Sequence, residues 1–172
     1  MGRVEAIWIT DEGSAPMESQ ESVQAVANRG IRGDRYMRGT GYYSPYDVCE
    51  TTFIESEAIE AIRDEQGIDL SDGRHRRNFV TSGVAVHDLL DQRFRVGRAV
   101  FEGTRPRPPC VHVEQVAGEE GVSRALTDGR GGICARVAES GRVESGDELE
   151  VLGPVEDPDG LIQAIRERVT GG

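Results

Sequence analysis

Lysine is missing altogether, and every one of the 20 basic residues is an arginine. Against 31 carboxylates they leave a net charge of -11. An acidic, lysine-free surface suits a protein living in concentrated salt, where repulsion between carboxylates is screened. GC-rich coding produces the same arginine bias, so composition leaves both causes open. The negative balance argues against general binding to DNA or RNA, which needs a basic footprint. Aromatic residues make up only 5% of the chain, which predicts an aliphatic core. No apolar run exceeds a few residues (Ala6 to Ile9 is typical), so no segment is expected to span a membrane. The start, Met1-Gly2-Arg3-Val4-Glu5, lacks the apolar stretch of a secretory signal, and a cytoplasmic protein is expected. Cysteine is also scarce. Cys49, Cys110 and Cys134 form no CxxC pair, which argues against a structural zinc site. Their odd number argues for thiols rather than disulfides.

At 172 residues the chain holds one domain with a single core, or one domain with a small appendage. Val4 to Ile9 reads as a first strand, stopped at Asp11-Glu12-Gly13. Val23, Ala25 and Ala27 alternate with polar residues and predict a second strand over 21–28. A glycine-punctuated loop runs from Gly30 to Pro45, with Gly33 permitting a tight turn and Asp34 placed to tie it down. Val48 to Ile54 is β-rich. Ala58, Ile59 and Ile62 share one face of a helix over 55–62, for which Gly67 is a C-terminal stop. Further strands are expected at 77–81, at 93–102 with a break at Gly97, and at 133–137, 141–143 and 147–152. Residues 84–90 read as a short turn or helix, 119–127 as a short helix, and 157–169 as an amphipathic helix carrying Leu161, Ile162 and Ile165. That last helix divides the chain into a main domain, 1–153, and a segment, 154–172, packed on or trailing from it. About eight short strands, with no βαβ alternation and no GxGxxG or Walker motif, predict a mostly β fold: a largely antiparallel barrel with attached helices.

The charge is unevenly spread. Residues 1–73 hold 15 acids and 6 bases, and residues 113–172 hold 13 acids and 6 bases. The 39 residues from Arg74 to His112 hold 3 acids and 8 bases, a net of +5. A cationic island in an anionic chain points to a small anionic ligand. Within it, Pro106-Arg107-Pro108-Pro109-Cys110 presents a thiol on a stiff approach, where guanidinium charge favours the thiolate. Thiolate is the form that attacks, accepts sulfur or binds a soft metal. The same residues also fit an idle loop cysteine. In Arg74-His75-Arg76-Arg77-Asn78, alternation puts Arg76 and Asn78 on one face and Arg77 on the other, and two guanidinium forks plus an amide suit a phosphate or carboxylate. Pairing with the acidic exterior is the plainer reading. Gly129-Arg130-Gly131-Gly132 lets backbone N–H groups approach an anion beside Arg130. His112 is badly spaced to serve Cys110 as a base, because i,i+2 neighbours on a strand seldom meet. His75 and His87 read as surface residues, and Cys134 reads as core.

Taken in order, Gly30-Ile31-Arg32-Gly33-Asp34-Arg35-Tyr36, Thr52-Phe53-Ile54-Glu55, Arg76-Arg77-Asn78-Phe79-Val80, Pro106 to Cys110, Gly131 to Val137 and Ser145-Gly146-Asp147 resemble the MOSC domain, the C-terminal domain of molybdenum-cofactor sulfurases, which also occurs as a free-standing protein. The resemblance covers about residues 3–152. It implies a β-barrel that binds a molybdenum-pterin cofactor or carries sulfur for one. Cys110 would then be the reactive thiol and the metal ligand. Arg76 and Asn78 are the leading cofactor contacts it implies, with Arg77, Arg107, Arg130 and Arg136 also assigned to the anionic cofactor. Cys134 departs from the family pattern, whose residue there is aromatic or aliphatic. The chain has no room for a pyridoxal-phosphate desulfurase domain, so it would bind no pyridoxal phosphate itself, and any sulfur would come from a partner such as a cysteine desulfurase. Two alternatives stand beside this reading. One is a molybdenum-dependent reductase of N-hydroxylated compounds, fed by an electron-transfer partner. The other is a non-catalytic module that binds a phosphorylated ligand.

Overall fold

A computed structural model describes residues 2–10, 17–34, 50–70, 75, 77–106 and 132–155. In chain order these form β1 (Gly2–Ile9), β2 (Glu18–Gln20), β3 (Ser22–Val26), β4 (Gly30–Ile31), β5 (Thr51–Glu55), α1 (Ser56–Gln66), β6 (Phe79–Ser82), a 3-10 turn (Val86–Leu89), β7 (Gln92–Val96), β8 (Ala99–Pro106), β9 (Ile133–Glu139), β10 (Gly141–Glu144) and β11 (Glu148–Pro154). The expected second strand, 21–28, is β3 at Ser22–Val26, and β2 at Glu18–Gln20 precedes it unforeseen. The helices expected over 119–127 and 157–169 lie outside the described residues.

Seven strands close into a ring in the order β1-β6-β5-β9-β8-β7-β11, and β11 returns to β1 where Gly2 faces Leu149 and Arg3 faces Glu148. A ring with an odd number of strands cannot alternate direction all the way round, so at least one neighbouring pair must be parallel. Here it is β5 and β6, where Phe53 faces Phe79 and Ile54 faces Val80. Parallel neighbours need a crossover connection, and α1 supplies it. The barrel is largely antiparallel, as expected, but it does contain one βαβ unit. Two strands of four and five residues give too little pattern to show it in the sequence. A small sheet, β10-β3-β4, adds Val23, Ala25, Ile31 and Val143 to the barrel core.

The chain's four phenylalanines, all fully buried, meet inside the barrel. Phe53 stacks on Phe79 at 4.9 Å between ring centroids and meets Phe94 and Phe101 edge-on, each at 5.3 Å. The centre of the core is therefore aromatic, not aliphatic. A low average aromatic content does not limit the local one, and offset and edge-on pairs add about 0.5–1.5 kcal/mol each beyond area burial. Val4, Ile7, Ile133, Val137 and Leu149 surround the rings, and Val86 and Leu89 of the 3-10 turn join the same cluster.

A second cluster lies outside the barrel wall. Ile59 and Ile62 of α1 press on Ile54 and Val80, with Ile68, Leu70 and Trp8 beside them. α1 ends as expected at Gly67, left-handed with φ 70°, whose N–H returns to Arg63 O at 2.9 Å. At its other end, Glu57 accepts from Gly83 N–H at 3.0 Å and from the Ser56 hydroxyl at 2.9 Å. Burial, the largest single influence, pushes the Glu57 carboxyl up. Its hydrogen bonds, led by that from Gly83, together outweigh burial and hold it below the usual carboxylate range.

Candidate functional site

Strand alternation gives the β6-β5-β9-β8 wall two unlike faces. Phe53, Phe79, Ile133 and Ala135 point into the barrel core. On the outer face, Ile54 and Val80 lie under α1. The rest of that face is polar. Cys134 pairs in register with Thr52 on one side and with Arg105 on the other, and Thr52 is tied to Asn78. Asn78, Thr52 and Cys134 are fully buried, and Arg105 is half-buried. Arg136 stands two residues further along β9 on the same face, opposite Glu102.

Asn78 is held from every side. Its Oδ1 accepts from Thr52 N–H at 3.0 Å and from the Thr51 and Thr52 hydroxyls at 3.3 and 3.2 Å. Its Nδ2 donates to Trp8 O at 3.1 Å, and its own N–H donates to Thr52 Oγ1 at 2.9 Å. Trp8 N–H in turn donates to Asn78 O at 2.7 Å. This side chain therefore joins β1, β5 and the start of β6. The expected strand over 77–81 begins only at Phe79, because Asn78 sits in a bend and His75 in a turn.

Burial overturns the reading of His75 as a surface residue. His75 is fully buried and Arg77 is 1% exposed. His75 Nδ1 accepts from Arg77 N–H at 2.9 Å, while Arg77 Nη1 donates to His75 O at 2.9 Å. The Trp8 ring meets the imidazole edge-on at 6.3 Å. His87 is half-buried, with its Nε2 enclosed, and so is not a plain surface residue either.

Arg136 is engaged within the fold. Its Nη1 lies 3.1 Å from Glu102 Oε2 and its Nη2 donates to Asn28 Oδ1 at 2.5 Å. Asp34 does tie its loop down, because its Oδ1 accepts from Thr10 N–H at 3.2 Å. Gly132, read as part of an anion-binding run, has a structural reason: with φ 81°, any Cβ there would overlap the Phe53 carbonyl oxygen. Cys110, Arg76, Arg107 and Arg130 lie outside the described residues.

Sequence reasoning missed Arg105 and the Thr51-Thr52 pair. The strand read as ending at Glu102 continues to Pro106, so Arg105 belongs to the wall and not to a proline-stiffened loop. The threonines were counted only for β propensity, although two adjacent hydroxyls at a strand start are a usable polar signal. One register row links the two segments of greatest interest: Phe79 faces Phe53, Phe53 faces Ile133, and Ile133 faces Pro106. β6 begins at this row and β8 ends at it, so the chain carrying Arg76 arrives, and the chain carrying Cys110 departs, from one level of the wall. Among the described residues, no three His, Cys, Asp or Glu side chains gather to hold a metal ion.

The fold has close counterparts among solved structures. The YuaD protein from Bacillus subtilis superposes with a TM-score of 0.72 at 19% identity, over 88% of this chain and 96% of that one. YiiM from Geobacillus stearothermophilus gives 0.64 at 16% identity, over 88% of this chain and 75% of its own. YiiM from Escherichia coli gives 0.63 at 16%, over 92% and 76%. At such identities these likenesses concern the fold alone. No curated protein matches the chain. A model of the MOSC domain matches residues 48–150, more than half of the sequence and nearly all of the wall just described, and by that match the chain belongs to the MOSC domain family.

Proposed function

We propose that this protein binds a molybdenum-pterin cofactor, or carries sulfur for one, with Cys110 as the reactive thiol and Arg76 as the principal anion contact. The observation that carries the reading is the polar half of the outer wall. There Asn78, Thr52, Cys134 and Arg105 lie at the start of β6 and the end of β8, the strands that follow Arg76 and precede Cys110 in the chain. This donor set fits an anionic, hydrogen-bonding pterin better than a bare metal ion. The wall's amide and hydroxyls are already bonded to one another, so the contacts would come from guanidinium groups, in a segment of net positive charge.

When bound, the cofactor would supply a soft metal centre for a thiolate to ligate or to supply with sulfur. The chain's own residues do the rest. Arginines hold the ligand's negative charge and favour the thiolate at Cys110, and the wall excludes water behind it. Arg107 and Arg130 belong to this proposal as further contacts from the segments around Cys110. Arg77 and Arg136 contribute charge from positions already engaged in the fold. The cytoplasm is the proposed location, since among the described residues no helix is long and apolar enough to cross a membrane.

The test is elemental analysis and intact mass of protein purified from a host that makes the cofactor, beside Cys110→Ser. Bound molybdenum, or a mass gain of one sulfur atom, is expected in the wild type and absent in the variant. A variant that keeps its full load of both would refute the role of Cys110. Turnover of an N-hydroxylated compound with a supplied electron donor would favour the reductase reading. Phosphate binding that ignores the substitution, with no metal or sulfur on either protein, would favour a non-catalytic module.

A further inference from the structure

The polar row of the outer wall does not stop at Asn78. On one side it runs through Thr52 to Cys134 and Arg105. On the other it reaches Trp8 of β1, whose N–H donates to Asn78 O at 2.7 Å and whose carbonyl accepts from Asn78 Nδ2 at 3.1 Å. The Trp8 ring packs against the cluster of Ile54 and Val80 and meets the His75 imidazole edge-on. Within this row the Asn78 amide and the Thr52 hydroxyl are bonded to each other and to the backbone. The indole is different. The ring is half-buried, but its Nε1 is closed off from water and has no acceptor among the described residues. An indole nitrogen only donates, so it is satisfied only by an acceptor brought to it. A buried donor without a partner destabilises the fold, and a phenylalanine ring would fill much of the same space without that cost.

We propose that Trp8 is a further binding residue, whose indole N–H donates to a ring nitrogen or carbonyl oxygen of a heterocyclic ligand lying along this row. This rests on the reading of the wall as a pterin-cofactor site made above. The two ends of the row differ in chemistry. Arg105 is a cation suited to an anionic group, whereas Trp8 offers a neutral donor beside apolar side chains. Neighbouring strands lie about 4.8 Å apart, so the four steps from β1 to β8 separate these two backbone positions by about 19 Å along the wall. A lone phosphate is too small to serve both ends, and a heterocycle carrying an anionic arm is not. The donor gives up its water when the chain folds, so ligand binding does not bear that desolvation and keeps more of the hydrogen bond as affinity.

Trp8 is the chain's single tryptophan, so isotope-labelled protein gives one indole N–H signal in nuclear magnetic resonance. The full chain is titrated with pterin-6-carboxylate, whose own fluorescence reports affinity, and separately with inorganic phosphate. We expect the indole proton to move downfield with the pterin, saturating at the midpoint that fluorescence gives, and to stay in place with phosphate. Trp8→Phe should bind the pterin about three- to tenfold more weakly, the size of one hydrogen bond. The signal of the wild type decides the matter even if that variant folds poorly. If the pterin binds while the indole signal stays still, or if Trp8→Phe binds it like the wild type, the role of Trp8 is wrong and the cofactor reading stands. If phosphate moves the signal as far as the pterin does, the donor serves an oxyanion and the assignment to a heterocycle is wrong. If the wild type binds no pterin, the cofactor reading fails and the inference falls with it.

Discussion

Asn78 offers the sharpest separation between a residue that builds the wall and one that only touches a ligand. Truncation to alanine removes the acceptor for Thr52 N–H and the donor to Trp8 O, at positions where Asn78 and Thr52 are fully buried. Each buried polar group left without a partner costs about 1–3 kcal/mol. Two such groups, with smaller losses at the Thr51 and Thr52 hydroxyls, give about 3–5 kcal/mol, a large share of the 5–15 kcal/mol that typically holds a domain together. For a chain of this size that lowers the melting temperature by about 6–20 °C. The assay is thermal and urea unfolding of Asn78→Ala without any ligand, followed by circular dichroism. Thr52→Val should cost less, because only its hydroxyl is lost. The double variant should fall short of the sum, with a coupling of about 0.5–3 kcal/mol, because both changes break the same bonds. Asn78→Ala melting within about 2 °C of the wild type would refute this reasoning. It would make Asn78 a ligand contact with no part in stability.

Three further outcomes are expected. The melting temperature should rise markedly between low and molar KCl, because the Debye length shrinks from about 30 Å at 0.01 M to about 3 Å at 1 M and an excess of 11 acids repels itself less; a flat dependence would leave coding bias as the cause of the missing lysines. Limited alkylation at neutral pH should label Cys110 before Cys49 and Cys134, the last of which is fully buried, and peptide mass spectrometry that finds Cys134 modified first would reverse the assignment. Glu57 has a lowered folded pKa, so its contribution is complete above the ordinary glutamate value near 4.3 and is lost as the pH falls through the folded value. The stability advantage of the wild type over Glu57→Gln should accordingly be constant above about pH 5 and shrink toward pH 3, and an advantage that grows on acidification would contradict the bonding described.

Local features of the fold were legible wherever local physics decides them. Alternation marks β3, glycine ends α1 at residue 67, and Asp34 is where a loop needs an acceptor. Features set by distant partners were not. Nothing between residues 51 and 82 announces that β5 and β6 run side by side, because the requirement comes from the count of strands around the ring. His75 looked exposed because arginines flank it, and charge nearby in sequence is a poor guide to burial when a bend folds the backbone onto one imidazole. The four phenylalanines are spread from residue 53 to 101, and only the barrel brings them together. The candidate site was legible as residue types in the right order. Its floor, Thr52 and Cys134 beside Arg105, depends on strand register, which the sequence does not display.

The seam between β1 and β11 has a consequence for how the molecule is made. It joins Gly2 to Leu149, so β1 waits for β11 to be made before the ring can shut. Until then the wall is an open trough, edged by β11 on one side and by the part of β1 that β2 leaves uncovered on the other. Closing so long a loop costs roughly 3 kcal/mol more than closing a hairpin such as β7-β8, a modest penalty at equilibrium but one met before the long-range contacts repay it. Folding should therefore be slow for a chain of this size, and the aromatic cluster, complete once β8 has emerged, is the part able to hold the trough in shape while it waits.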